Sequence, residues 1–314
     1  MHWAAQGGTD RHLLTFVGAA TLDALALVDR YPDADERVVA SQLAFAGGGP
    51  AATAAVAAAR LGHEVAFLGA VGADETGEEI IAGLEREGVR TDAMLRIEGA
   101  HSGASVVVIT RSTATRAISN RPLPRADLTS SPEARDLLAA SGWVHTDHIG
   151  WEPTMRTLAE LEQPPLSSFD GGHLVDGFTA DGLDLYVPTV DALRRRLGDL
   201  PVPELLGRAA EESSGTVVAT AGGDGAWLLS PGGAAQQIPG SPVEVLSTLG
   251  AGDVFHGALL AQVAEGRPLH ESVVRAHAVA ALSTTALDGR SGIPDRAALD
   301  AFLSDQPAAS GHLV

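Results

Sequence analysis

The sequence predicts an α/β fold: a doubly wound, mainly parallel sheet flanked by helices, with a small β-sheet lid beside it. Three observations carry this expectation. From Trp143 onward, short apolar runs alternate with stretches of helical period, the rhythm of strands covered on both faces. Two earlier segments, near residues 36–46 and 103–120, fall outside that rhythm and suit a small sheet projecting from the main body. The chain has 314 residues, 45% of them hydrophobic, with no internal repeat or low-complexity linker, so one domain over 1–314 is expected.

Taken in order, residues 13–18 read as a buried strand and 23–28 as a second extended segment. Residues 37–45 alternate and end in Gly47-Gly48-Gly49-Pro50; the proline after the glycines opens a helix over 51–60. A strand at 65–69 and a helix at 75–87 follow, with Gly88 as its stop. Apolar runs at 105–110 and 116–119 flank a polar turn, the pattern of a hairpin. Strands are then expected at 143–146, 166–169, 185–187 and 217–220, with helices at 154–161, 190–197 and 203–212 between them. Short strands at 226–229 and 235–238 precede three closing helices at 253–265, 269–286 and 295–303.

Composition excludes several functions. Acidic residues outnumber basic ones by 40 to 21, a net charge of -19, and such a surface repels phosphate backbones and anionic lipid. Nucleic acid and membrane are therefore not expected as partners. There is no cysteine, which removes disulfides, thiolate nucleophiles and cysteine-ligated metals. All 21 basic residues are arginine, so a Walker A lysine, a Schiff-base lysine and a Ser–Lys pair are absent too. Residues 1–11 carry no apolar leader, and no apolar run reaches the ~18–20 residues of a membrane span, so a cytoplasmic location is expected.

The strongest chemical signal is Ser247-Thr248-Leu249-Gly250-Ala251-Gly252-Asp253-Val254-Phe255. Three small residues before a helix leave backbone N–H groups unshielded at the positive end of its dipole, an anion site. Asp253 in that first turn is either a charge–dipole partner of the helix or a base. As a base it takes a proton from an attacking hydroxyl while the amides of Gly250, Ala251 and Gly252 hold a transferring phosphoryl group.

Together with Gly48-Gly49 through Ala58-Ala59-Arg60-Leu61-Gly62 and with Gly69-Ala70-Val71-Gly72-Ala73-Asp74, this motif resembles the PfkB (ribokinase-like) carbohydrate kinase family over about the whole chain. The resemblance implies an ATP-dependent sugar kinase working with Mg²⁺, with Asp253 as catalytic base and Gly250, Ala251 and Gly252 as the anion hole. It implies that Asp23 binds sugar hydroxyls, that Gly48 and Gly49 let the lid hinge over the sugar, and that Thr53 lies where the family usually has a sugar-binding Asn. Thr220, Gly222 and Gly225 match the nucleotide loop, and Arg116 lies where ketohexokinase-like members carry an arginine near the phosphates. Arg37 and Asn120 are candidates for the far end of the sugar pocket. The acidic Mg²⁺ segment survives only as Pro188-Thr189-Val190-Asp191, so Asp191 would act weakly, through water. Ser247 replaces a carboxylate that helps hold a monovalent cation in relatives, so cation activation is expected to be weak or absent.

The opening of the chain, Val17-Gly18 to Asp23 and Leu27-Val28-Asp29-Arg30-Tyr31-Pro32, is similar to ketohexokinases. The stretches around Gly47, Asp253 and Gly289-Arg290-Ser291-Gly292-Ile293-Pro294-Asp295 are similar to sulfofructose kinases. Both imply phosphorylation of a ketose at its C1 hydroxyl, of fructose or a 6-substituted fructose. The strand after Trp143 lacks the arginine that an anionic substrate calls for. Exposed edges of the lid strands favour a homodimer through the lid.

The same residues admit other readings. A catalytically weak sugar- or nucleotide-binding regulator would explain the departures at Thr53, Ser247 and Asp191. A nucleoside kinase of the same family would want an aromatic wall, and aromatics are only 4% of the chain. Gly47-x-Gly49-x-x-Ala52 fits a dinucleotide fingerprint but lacks an acidic residue at the proper spacing. His145, Asp147 and His148 suit a polar pocket wall better than a metal site, and Arg194-Arg195-Arg196 a solvated helix face.

Overall fold

The computed structural model describes residues 12–113, 115–213 and 215–305; the polar stretch 1–11 lies outside the described residues. The first half runs β1 (Leu14–Val17), β2 (Thr21–Val28), β3 (Gln42–Gly48), α1 (Pro50–Arg60), β4 (Val65–Leu68), β5 (Ala70–Gly72), α2 (Glu75–Arg86), β6 (Val89–Arg90), β7 (Leu95–Ile97), β8 (Ala104–Thr110) and β9 (Arg116–Arg121). Next come α3 (Pro132–Ala140), β10 (Trp143–Thr146), α4 (Trp151–Leu158), β11 (Leu166–Gly171), β12 (Leu185–Pro188), α5 (Val190–Leu197), α6 (Val202–Glu211) and β13 (Thr216–Thr220). Strands β14 (Ala226–Leu229) and β15 (Gln236–Ile238) and helices α7 (Ala251–Ala264), α8 (Leu269–Ser283) and α9 (Arg296–Asp305) complete the chain.

The main sheet has nine strands in the order β15-β14-β13-β12-β11-β10-β1-β4-β6. It is parallel from β13 through β6, and β14 and β15 add an antiparallel edge. All four residues of β1 are buried, as a central strand covered on both faces requires. One face carries α1, α7 and α8 around Phe16, Phe67 and Phe255; the other carries α3 to α6. The alanine-rich face of α1 lets α7 approach closely. A side chain at Gly257 would come within 1.9 Å of the Ala54 carbonyl oxygen, so glycine is needed at that crossing.

A second, four-stranded sheet has the order β3-β2-β8-β9 and stands beside the main sheet. The expected strand over 36–46 is shifted: β3 begins at Gln42, and 36–41 is irregular. Asp35 adopts a left-handed φ of 60°, and Arg30 pairs with Glu36, so this stretch folds on itself rather than pairing with a strand. The expected hairpin over 103–120 is present as β8 and β9. One face of this sheet buries Leu25, Leu27, Val107 and Ile109 against Leu287. The other leaves Leu43, Phe45 and Val106 at 76%, 80% and 56% exposure. The two-stranded β5–β7 sheet was not expected.

Candidate active site

The site is assembled where β1, β10 and β11 end, under the smaller sheet and at the N-terminus of α7. That helix begins at Gly250, whose φ of 74° is left-handed and whose missing side chain lets the turn lie against Gly289. A side chain grown at Gly252 would meet nothing within 4 Å, so the space before the first turn is open and suited to an anion on the helix amides. Arg116 reaches from β9 and donates through Nη1 to Thr248 Oγ1 at 3.0 Å, tying the smaller sheet to this turn.

Asp253 stands in the first turn, partly open to solvent but with protein packed densely around its carboxyl. Its pKa is pushed up to about 7, chiefly by loss of hydration and then by the charge of Asp170; His256 pulls the other way. Asp253 would therefore exchange a proton near neutrality, where a general base is effective.

Asp23 projects from β2, buried, and accepts from Thr21 Oγ1 at 2.9 Å; Ser105 also bonds to it. Burial raises its pKa against those hydrogen bonds and the charge of Arg290. Gly48 lies opposite Thr21 in the β2–β3 pair, and a side chain there would fall 2.1 Å from Asp23 Oδ2. Gly49, with φ of 91°, turns the chain from β3 into α1 and passes so close to Ala19 that a side chain would lie 2.4 Å from its carbonyl oxygen. Asn120 pairs in register with Ser105, and Ser105 with Asp23, so the three share one face of the smaller sheet. Arg37 lies exposed in the irregular segment before β3.

Thr220 ends β13 and bridges to Thr189; beyond it, Gly222 to Asp224 form a 3-10 turn that closes on Gly225. Gly225 takes a φ of 97°, and a side chain there would lie 2.0 Å from the Ile238 carbonyl oxygen. His277 Nε2 bonds to the Gly222 carbonyl at 3.1 Å, and its Nδ1 accepts from Ser241 N at 3.2 Å. Asp191 lies in the first turn of α5, exposed, with Arg194 at 3.6 Å. Among the described residues no group of three or more His, Asp and Glu is arranged to hold a metal ion.

Three features escaped the sequence reading. Asp147 is a backbone latch: Oδ2 accepts from Ala19 N at 2.8 Å and Ala51 N at 3.2 Å, and Oδ1 from Ile149 N at 2.8 Å and Gly150 N at 3.1 Å. Arg290, only 8% exposed, donates through Nε to Thr53 Oγ1 at 3.3 Å and through Nη2 to the Gly48 carbonyl at 2.9 Å. Of the other two residues expected to line a polar wall with Asp147, His145 places Nδ1 2.9 Å from Ser168 Oγ, and His148 stacks on His173 at 4.6 Å while its buried Nδ1 has no partner among the described residues. The third feature, a buried contact of His256 with Asp170, lies beneath Asp253.

A mainly parallel sheet, a smaller sheet over its strand ends and a glycine-fronted helix with an acid in its first turn define a phosphotransferase fold. The profile of the pfkB family carbohydrate kinases matches residues 11–164 and 177–296. A fructokinase of Klebsiella pneumoniae is 30% identical over 294 residues, covering 86% of this chain and 94% of that one. A ribokinase of Bacillus subtilis is 25% identical over 294 residues, covering 92% and 98%. The crystal structure of a putative ribokinase from Agrobacterium tumefaciens superposes with a TM-score of 0.80 at 27% identity, covering 94% of this chain and 99% of that one. The chain belongs to the pfkB family of carbohydrate kinases. It is a sugar or nucleoside kinase, an enzyme that transfers a phosphoryl group to a hydroxyl. Among the described residues no helix is long and apolar enough to cross a membrane.

Proposed function

We propose that this enzyme transfers the γ-phosphoryl group of ATP to the C1 hydroxyl of a ketose, fructose or a 6-substituted fructose. The observation that carries the catalytic part is Asp253, near neutrality in its proton affinity, in the first turn of a helix whose entrance is open. On this reading Asp253 takes the proton of the attacking hydroxyl. The amides of Gly250, Ala251 and Gly252 receive the charge that builds on the transferring phosphoryl oxygens, helped by Arg116. The hydroxyl oxygen bonds to phosphorus as the β–γ bridge breaks, and ADP leaves.

Asp23 would accept two sugar hydroxyls, within a pocket bounded by Gly48, Gly49 and Thr53 and extended by Asn120 and Arg37. Support for Asp23 and Asn120 is their shared face on the smaller sheet, which we read as the lid. Thr220, Gly222 and Gly225 would carry the nucleotide. Mg²⁺ would ride on the phosphates, with Asp191 touching its shell through water. We further infer a homodimer in which the exposed apolar face of the lid, Leu43, Phe45 and Val106, packs on a second copy.

The test is one substitution with three readouts. Asp253→Asn keeps the size of the side chain but cannot accept the proton, so kcat should fall about 10²–10⁴-fold while sugar affinity and melting temperature change little. Turnover is measured as ADP release from MgATP with D-fructose, D-tagatose and D-ribose, and the position of the phosphate by NMR. A near-normal kcat in the variant defeats the base assignment. A phosphate on C6 defeats the C1 assignment. Ligand binding without ADP release by the wild type would leave a regulator on the same fold.

A further inference from the structure

We propose that Asp170 and His256 form a buried ion pair that acts as a positioning element for proton transfer, keeping a positive imidazolium beside the carboxylate of Asp253. The inference rests on the kinase reading above and adds two residues that neither touch the sugar nor the nucleotide in it.

The geometry comes from helix period and depth. His256 follows Asp253 by three residues on α7, so the two side chains occupy neighbouring positions one turn apart. From that position His256 Nε2 meets Asp170 Oδ1, at the end of β11, at 3.2 Å, with side-chain exposures of 4% and 8%. Water therefore reaches neither group well. An isolated carboxylate at that depth would be strongly disfavoured, and a protonated imidazole is the counter-ion within reach. Gly172 N donates to the same Asp170 Oδ1 at 2.8 Å, which further favours the ionised carboxylate. On the far side, His145 lies 5.3 Å from the His256 ring and is held neutral, its pKa depressed to about 3 by burial and then by the charge of His256.

Every charged group around Asp253 can be assigned a sign. Asp147, below the first loop, and Asp170 oppose its ionisation, while His256 and Arg116 favour it, and Arg290 stands across the pocket as a further cation. Burial and then the charge of His148 lower the pKa of His173. Burial works against charge on both members of the pair, yet their mutual attraction lowers the pKa of Asp170 and raises that of His256. The pair is thus close to neutral as a unit, and Asp253 sees a cation at one turn balanced by an anion behind it. In His256→Asn the amide of the new side chain and Gly172 N can still donate to Asp170, so its carboxylate stays ionised and faces Asp253 as an unbalanced negative charge.

This makes a prediction that separates a charge-holding role from a packing role. In His256→Asn, the acid limb of kcat/KM for D-fructose at saturating MgATP should move up by about one pH unit or more, since a like charge disfavours the ionised base. In Asp170→Asn/His256→Asn, where both charges are gone, the limb should return close to its wild-type position. Asp170→Asn alone should resemble the double variant, because His256 loses the partner that keeps it protonated. A packing role predicts instead that activity falls with the limb unmoved and that the double variant is no better than His256→Asn. An unmoved limb in His256→Asn overturns the proposal. A second measurement does not depend on turnover or on the variants folding. The imidazole ¹⁵N shifts of His256 in the wild-type protein should be those of a charged ring at pH 7.5, and a neutral ring there also overturns it. If D-fructose is not phosphorylated at all, the substrate reading fails, and the NMR result alone decides whether the ion pair exists.

Discussion

Asp147→Asn tests how the first loop and α1 are held in place. In the wild type each carboxylate oxygen accepts two backbone N–H bonds, from Ala19 and Ala51 on Oδ2 and from Ile149 and Gly150 on Oδ1. The side chain is fully buried, so no water takes over a lost bond. Asparagine is nearly isosteric, but whichever way its amide is turned, an NH₂ group faces two of the four donors. Two charge-assisted hydrogen bonds are lost at about 1.5–3 kcal/mol each, and the remaining two weaken, giving a destabilisation of about 3–6 kcal/mol. Urea unfolding followed by circular dichroism, with the slope against denaturant unchanged, measures this directly. A second consequence has the opposite sign. Asp147 is one of the charges that raise Asp253, so removing it should move the acid limb of kcat to lower pH, since the base then stays ionised further into acid. A stability loss below about 1 kcal/mol would refute the latch, because it would mean that the four amides find partners elsewhere.

Replacing Arg290 by Met should cost about 2–4 kcal/mol of stability and raise KM for the sugar more than it lowers kcat, because it frees the Gly48 carbonyl and Thr53 beside Asp23. A normal KM in a folded variant would exclude Arg290 from shaping the pocket. Rates in potassium and in tetramethylammonium should be alike, since Ser247 supplies a neutral hydroxyl that is already accepting from Leu249 N at 3.2 Å; a strong potassium requirement would contradict this. Phe45→Glu places a charge on the apolar face of the smaller sheet, where Phe45 is 80% exposed, and should shift sedimentation to that of a monomer. An unchanged dimer, or a monomeric wild type, would rule out that interface.

Legibility in the sequence followed the range of the interactions. The entrance of α7 could be read because its chemistry is local: Gly250, Ala251, Gly252 and Asp253 are consecutive, and a left-handed glycine before a helix is a property of the turn itself. The strand–helix rhythm after Trp143 was legible for the same reason. Strand β3 was misplaced because its alternation continues back into 36–41, where Asp35 and the Arg30–Glu36 pair bend the chain away. Arg290 was invisible as a pocket residue because its partners Thr53 and Gly48 lie 237 and 242 positions away. Asp147 draws its donors from three separate segments, and His256 meets Asp170 only because β11 ends beneath α7. The available signals were indirect. Gly18 and Gly48 mark places where another residue's carboxylate occupies the space of a side chain, of Asp147 at 2.0 Å and of Asp23 at 2.1 Å.

The charge of the chain poses a problem that the site resolves locally. A protein of net charge -19 repels a nucleoside triphosphate at long range, and screening at physiological salt limits that repulsion to roughly 8 Å. Within that distance the distribution matters more than the sum. Arginines such as Arg60, Arg156 and Arg267 are paired with Glu87, Asp127 and Glu271 and carry little net field. Arg116 instead donates to a neutral hydroxyl, and Arg290 to a carbonyl and a hydroxyl, so both keep their charge undiminished by a direct ion pair. The α7 N-terminus adds about half a positive charge in the same place. On the proposal above, His256, balanced by Asp170, adds a further cation beside Asp253 without adding to the total. On an acidic surface, Arg116 and Arg290 with the α7 N-terminus place positive charge in one cleft, and they do so without a lysine anywhere in the chain.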